Sequence, residues 1–150
     1  MAYLEGMVVK EMTMDFGTWG ERPVLVAKPS LMPELEGFAV LVKDVENEAG
    51  GLLLVSADVP EEFRPLALLQ EIIEAWLPEG PTSGVSAAKY VLERVCEELM
   101  DSFLGYRIGY LERLVEFYKI RGESALAKRA NLSLVYLKSL AESRTAATTG

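Results

Sequence analysis

The chain of 150 residues contains no histidine. That absence excludes Ser-His-Asp triads, Cys-His nucleophile pairs and every zinc site that uses imidazole. There is one cysteine, Cys96, so neither an internal disulfide nor a thiolate zinc cluster can form. It sits in a helical pattern, and a small buried apolar side chain is expected there rather than a nucleophile. No apolar run reaches the length of a membrane span, and no basic stretch leads into an apolar one near the N-terminus. Neither export nor a membrane partner is signalled, and a cytoplasmic location is expected. No phosphate-cradling glycine loop and no Asp-rich calcium loop occurs. Carboxylates remain as the only plentiful ligands or acid-base groups, and no cofactor is implied.

What is present is ordinary globular composition, with 50% hydrophobic and 25% charged residues, enough for one compact domain with a real core. The net charge of -8 is uneven. Residues 1–106 carry 7 Lys+Arg against 19 Asp+Glu, a net of -12, whereas residues 107–150 carry 8 against 4, a net of +4. A basic segment on an acidic body marks either an interaction surface or a solvated helix pair. The sequence therefore divides by charge into an acidic α+β part over 1–106, a basic helical segment over 107–145 packed on the same core, and a frayed tail over 146–150.

The first third reads as strands. Residues 6–16 alternate loosely between apolar and polar; residues 22–27, with Val24, Leu25 and Val26 in a row, suit a strand buried on both faces. Residues 38–45 and 52–57 predict a third and fourth strand joined by a short turn over 47–51, hence a sheet that is at least partly antiparallel. After Asp58 the pattern becomes helical. Pro60 and Pro65 punctuate a helix start, and Pro78, Gly80 and Pro81 stop it after about Leu77. A long helix is expected from Ser83 or Ser86 onward, on the recurrence of Val91, Val95, Leu99 and Phe103, with a break or kink near Gly105 and Gly109. A further helix runs over 110–121 and ends at Gly122. The fold class is α+β: a small four-stranded sheet followed by four to five helices, packed on one face.

Two helices carry the candidate sites. In Pro65–Leu77 the residues Leu66, Leu69, Ile73, Trp76 and Leu77 form an apolar stripe for the core. On another face Gln70, Glu71 and Glu74 fall together, in the spacing of the His-Glu-x-x-His zinc-protease helix, where two imidazoles at i and i+4 hold the metal and the glutamate activates water. Gln70 and Glu74 stand at both imidazole positions, and a merely solvated face reads the same way. In residues 123–142, a helix-turn-helix needs a small residue at the crossing, a residue tolerant of positive φ in the turn and internal apolar residues. Ala127, Asn131 and the set Leu126, Leu132, Leu137 and Leu140 meet those needs, with Ser133 as a cap. One unbroken helix with the stripe Leu126, Ala130, Leu134, Leu137 and Ala141 meets the same sequence. Lys128, Arg129, Tyr136 and Lys138 are the candidate nucleic-acid face, a thin supply of positive charge in an acidic chain.

Together the segments LLLVSADVP, LLQEIIEA, ERVCEELM and LAKRANLSLVYLKSLAESRT resemble the ImmA/IrrE family of zinc-peptidase-like proteins over about residues 52–145. The resemblance implies an edge strand at 52–60, a motif helix with Glu71 as the general base, an acidic third ligand near Glu93 and a helix-turn-helix-like end. Gln70 and Glu74 depart from it at both histidine positions. An amide oxygen is a weak zinc ligand, so the family's peptidase activity does not carry over. The resulting expectation is a non-catalytic, zincin-like interaction or regulatory domain with a protein partner or a second copy of itself. Two alternatives stand beside it: a Mg- or Mn-dependent small-molecule enzyme using Glu71, Glu74 and Glu93, and a DNA-binding regulator acting through residues 123–142.

Overall fold

The computed structural model describes residues 6–42 and 51–149. The chain divides into two compact units, Met1–Trp76 and Leu77–Gly150. The charge change at residue 107 falls inside a helix of the second unit.

The first unit is a four-stranded mixed sheet with one helix. Strands β1 (Val8–Asp15), β2 (Glu21–Ala27), β3 (Ala39–Val42) and β4 (Leu52–Ser56) lie in the order β1-β2-β4-β3. β1 pairs antiparallel with β2, β2 parallel with β4, and β3 antiparallel with β4. The third and fourth strands are thus the antiparallel pair that the sequence predicts, although the turn over 47–50 and residues 43–45 lie outside the described residues. β2 and β4 occupy the interior of the sheet, which is why Val24–Ala27 and Leu52–Ser56 are unbroken buried runs rather than alternating ones. β1 is an edge and alternates from Glu11 to Asp15, after a register shift between Val8 and Lys10, with Lys10, Glu11 and Thr13 exposed. Charged residues on an edge discourage pairing with another chain.

Past β4, Asp58 ties the unit together. Its carboxylate accepts the backbone N–H of Gly37 at 3.1 and 3.2 Å and the hydroxyl of fully buried Ser56. Arg64 donates from Nε to the carbonyl of Val59 at 2.9 Å and from Nη2 to that of Ala57 at 3.0 Å. A 3-10 turn over Glu61–Phe63 then feeds α1 (Arg64–Trp76), which packs against β3 and β4. Ala67, Leu68, Leu69, Ile72 and Ile73 are its buried apolar residues. Trp76 departs from the expected core stripe: it is 70% exposed, with its ring edge-on to Trp19 at 5.2 Å. It closes the last turn of α1, where no further turn follows to cover it.

The second unit is helical: α2 (Ser83–Leu92), α3 (Glu97–Ile120) and α4 (Ser124–Thr149). The predicted long helix breaks ten residues earlier than its glycines suggest. Residues Glu93–Cys96 form the turn, with Cys96 in an extended conformation ahead of α3, whereas α3 runs unbroken through Gly105 and Gly109. The segment VLERVCEE holds neither glycine nor proline, so no local signal marks the break. Packing explains it: α2 and α3 both pack on α4, and a straight rod could not lay both apolar faces against that one helix. Cys96 is accordingly exposed, not buried as expected.

α3 and α4 form a hairpin that turns at Gly122. Its φ of 71° lies in the left-handed region that glycine enters without steric cost. The N–H of Gly122 reaches the carbonyl of Lys119 at 3.0 Å and that of Glu123 the carbonyl of Tyr118 at 2.9 Å, the paired bonds of a Schellman stop. At the far end Arg144 donates to Glu97 Oε1 at 2.6 Å and Asp101 Oδ1 at 2.7 Å. These two carboxylates, Glu97 first, hold the guanidinium above its ordinary pKa. The clamp lies just ahead of the tail over 146–150 where fraying is expected, and α4 stays helical through Thr149.

Candidate functional site

The structure places the α1 residues differently from either reading of the motif. Gln70 is 4% exposed, whereas Glu71 and Glu74 are half-buried; the face is not simply solvated. Glu93 is exposed and caps the C-terminus of α2. Among the described residues no group of three or more His, Cys, Asp or Glu side chains is arranged to hold a metal ion. The strand that the zincin resemblance treats as an edge is interior: β2 and β3 occupy both sides of β4. Its five buried residues leave no open backbone along which an extended peptide could lie.

The C-terminal segment is one helix. Nothing between 124 and 149 forces the backbone out of the helical region, and a single stripe suffices to bind α4 to α3. Ala127, Ala130, Leu134 and Leu137 are buried and Leu126 and Ala141 half-buried, which is the stripe of an unbroken helix. Leu132, internal in a helix-turn-helix, is 41% exposed; Ser133, expected to cap the second helix, is 6% exposed in mid-helix. Of the candidate nucleic-acid residues, Arg129 lies 3.9 Å from Glu79 and Lys138 3.5 Å from Glu112, and Tyr136 faces the ammonium of Lys89 at 5.5 Å. Lys128 is exposed. Two of the four are thus offset by neighbouring carboxylates, which weakens any attraction for phosphate. Of the aromatic side chains on α3 and α4 that could anchor a partner, Tyr110 is buried and Tyr106, Phe117, Tyr118 and Tyr136 are half-buried.

A concave feature of the second unit is a groove of about 630 Å³ at the turn between α3 and α4. Val115 and Lys119 come from α3, Ala127, Lys128 and Leu132 from α4, and Pro81 from the segment before α2. The helical spacing explains the set. Val115 and Lys119 are one turn apart on α3, as are Lys128 and Leu132 on α4. The volume lies within the range of specific binding clefts. Its lining is mainly apolar, and its only charged side chains are the two lysines.

No family model, no curated protein and no solved structure matches the chain. The groove is therefore read from its own chemistry. Apolar surface left open beside two cations can hold an apolar group and orient a negative one. Sequence reasoning passed over it, although one signal was there: Leu132 and Val135 fall off the buried stripe of α4, and both are exposed, at 41% and 56%. Among the described residues no helix is long and apolar enough to cross a membrane.

Proposed function

We propose that the chain is a non-catalytic interaction domain, a zincin-like sheet-and-helix unit without metal chemistry, which acts in the cytoplasm by binding a protein partner on its helical unit. One observation carries the reading: the groove between α3 and α4 is lined by Val115, Ala127 and Leu132, and Leu132 remains 41% exposed. A large aliphatic side chain left in water beside a concave apolar surface is an unspent source of binding free energy, roughly 1 kcal/mol or more if covered. The α1 residues add support, because an amide and two carboxylates at this spacing lack the nitrogen donors that zinc chemistry needs.

A photo-crosslinking residue at position 132 tests the proposal, with position 13 on β1, also exposed, as the control. A discrete adduct with a second protein in extracts of the source cells, formed at 132 and not at 13, is the expected result. Adducts of equal yield at both positions, or peptide hydrolysis by the pure chain, would overturn the proposal. Light scattering on the pure protein separates binding of a second copy from binding of a different partner.

A further inference from the structure

We infer that the occupant of the α3–α4 groove is an acidic amphipathic helix of a partner protein, about two to three turns long; this rests on the interaction reading above and adds the chemistry of the partner. The length follows from the surface. Lys128, Leu132 and Val135 lie at i, i+4 and i+7 of α4, one face that runs about 10 Å along the axis. Leu132 lines the groove, and Val135 carries the apolar surface beyond it to the next turn, at 56% exposure. A compact small molecule would fill the groove and leave Val135 uncovered. A helix whose apolar residues recur at i, i+3 or i+4 and i+7 covers both.

The charge follows from the rim. Lys119 and Lys128 are the only ionisable side chains in the lining, and no carboxylate is among them. Lys119 lies 3.9 Å from Glu116, with side chains 62% and 68% exposed; such a pair is weak and leaves the ammonium open to a better partner. Lys128 has no ion pair among the described residues. The segment 107–150, to which both lysines belong, carries a net +4. A partner bearing lysines beside its apolar face would set like charges together as water leaves the groove, whereas one bearing glutamates gains two ion pairs there and is steered by the basic segment. Nucleic acid fits less well, because the floor between the lysines is apolar and Arg129 and Lys138 are already matched to Glu79 and Glu112.

Two synthetic helical peptides of about 16 residues serve as the probes, each with leucines at i, i+3, i+4 and i+7. Glutamates flank the leucines in one and lysines in the other. Fluorescence anisotropy against the full chain is expected to show the glutamate peptide bound at least about tenfold more tightly at low salt, with the preference shrinking as salt rises. The double variant K119E/K128E, at two exposed positions, should reverse the preference, and L132D should abolish binding of both peptides. Equal binding of the two peptides, lost in L132D, overturns the charge inference while the groove stands as a docking site. Failure of both peptides to bind at any salt concentration overturns the inference and removes the groove's support for the interaction reading.

Discussion

Alanine at Gly105 and Gly109 should make this protein more stable, against the ordinary expectation for substituting two glycines four residues apart in a long helix. Both residues lie inside α3, which spans Glu97–Ile120 without interruption. A Cβ built on Gly105 meets nothing within 4 Å, and one on Gly109 meets only Nη1 of Arg113 at 3.6 Å, an ordinary van der Waals contact with the far end of a long side chain. Neither glycine is held by a close approach, so each contributes only its excess backbone freedom in the unfolded chain. Replacing it should stabilise by about 0.5–1 kcal/mol. The two changes share no partner and should add, to about 1–2 kcal/mol. For a chain of this size that is a rise of about 2–8 °C in the midpoint of helix loss, read by circular dichroism at 222 nm. Gly51 gives the contrast. Its φ is 108° and a Cβ there would stand 2.7 Å from the carbonyl oxygen of Val42, so the same substitution should destabilise by about 1–3 kcal/mol. A lowered midpoint for Gly105→Ala or Gly109→Ala would refute the reasoning, because it would mean that α3 bends there or that another surface packs against it.

Three further outcomes follow from the packing. Asp58→Ala removes the carboxylate that accepts the Gly37 N–H and the hydroxyl proton of Ser56, which is fully buried; a loss of about 2–3 kcal/mol in urea denaturation is expected, and Asp58→Asn should recover part of it. Trp76→Ala should cost no more than about 1.5 kcal/mol, the scale of an aromatic edge contact, since the side chain is 70% exposed; a loss of about 3–5 kcal/mol would restore Trp76 to the core. Gln70→His combined with Glu74→His puts imidazoles at both positions ahead of and beyond Glu71. Without a third ligand, zinc at a concentration equal to a weak Kd should raise stability by less than about 0.5 kcal/mol, and stoichiometric zinc retained through gel filtration would show that a third ligand lies within reach.

Much of the fold was legible because the signals were short-range. The buried run of β2 announces an interior strand by its composition, and Gly122 announces the end of α3 by its backbone freedom, whereas residues 123–142 fit a helix-turn-helix and one long helix alike until the stripe Leu126, Ala130, Leu134, Leu137 and Ala141 is seen to be the covered one. The missing imidazoles are a fact of composition that no folding can alter, and they close the zinc chemistry that the spacing of Gln70, Glu71 and Glu74 suggests. The candidate site was less legible. Its lysines and its exposed leucine belong to the margins of two helices, and a margin becomes a groove only when the helices meet.

The sequence thus determined the kind of element over most of the described residues, since helix, strand and stop are mainly set by the neighbours within a few residues. Tertiary structure alone decided which elements share a partner. It broke the helical run at 93–96, where no residue demands a break, because α2 and α3 both pack on α4. It enclosed β4 between two neighbours, left Trp76 and Cys96 in water, and opened a lysine-rimmed groove where α3 turns into α4. Those outcomes depend on which apolar faces meet across long stretches of chain, a competition among pairings that a local pattern of residues does not record.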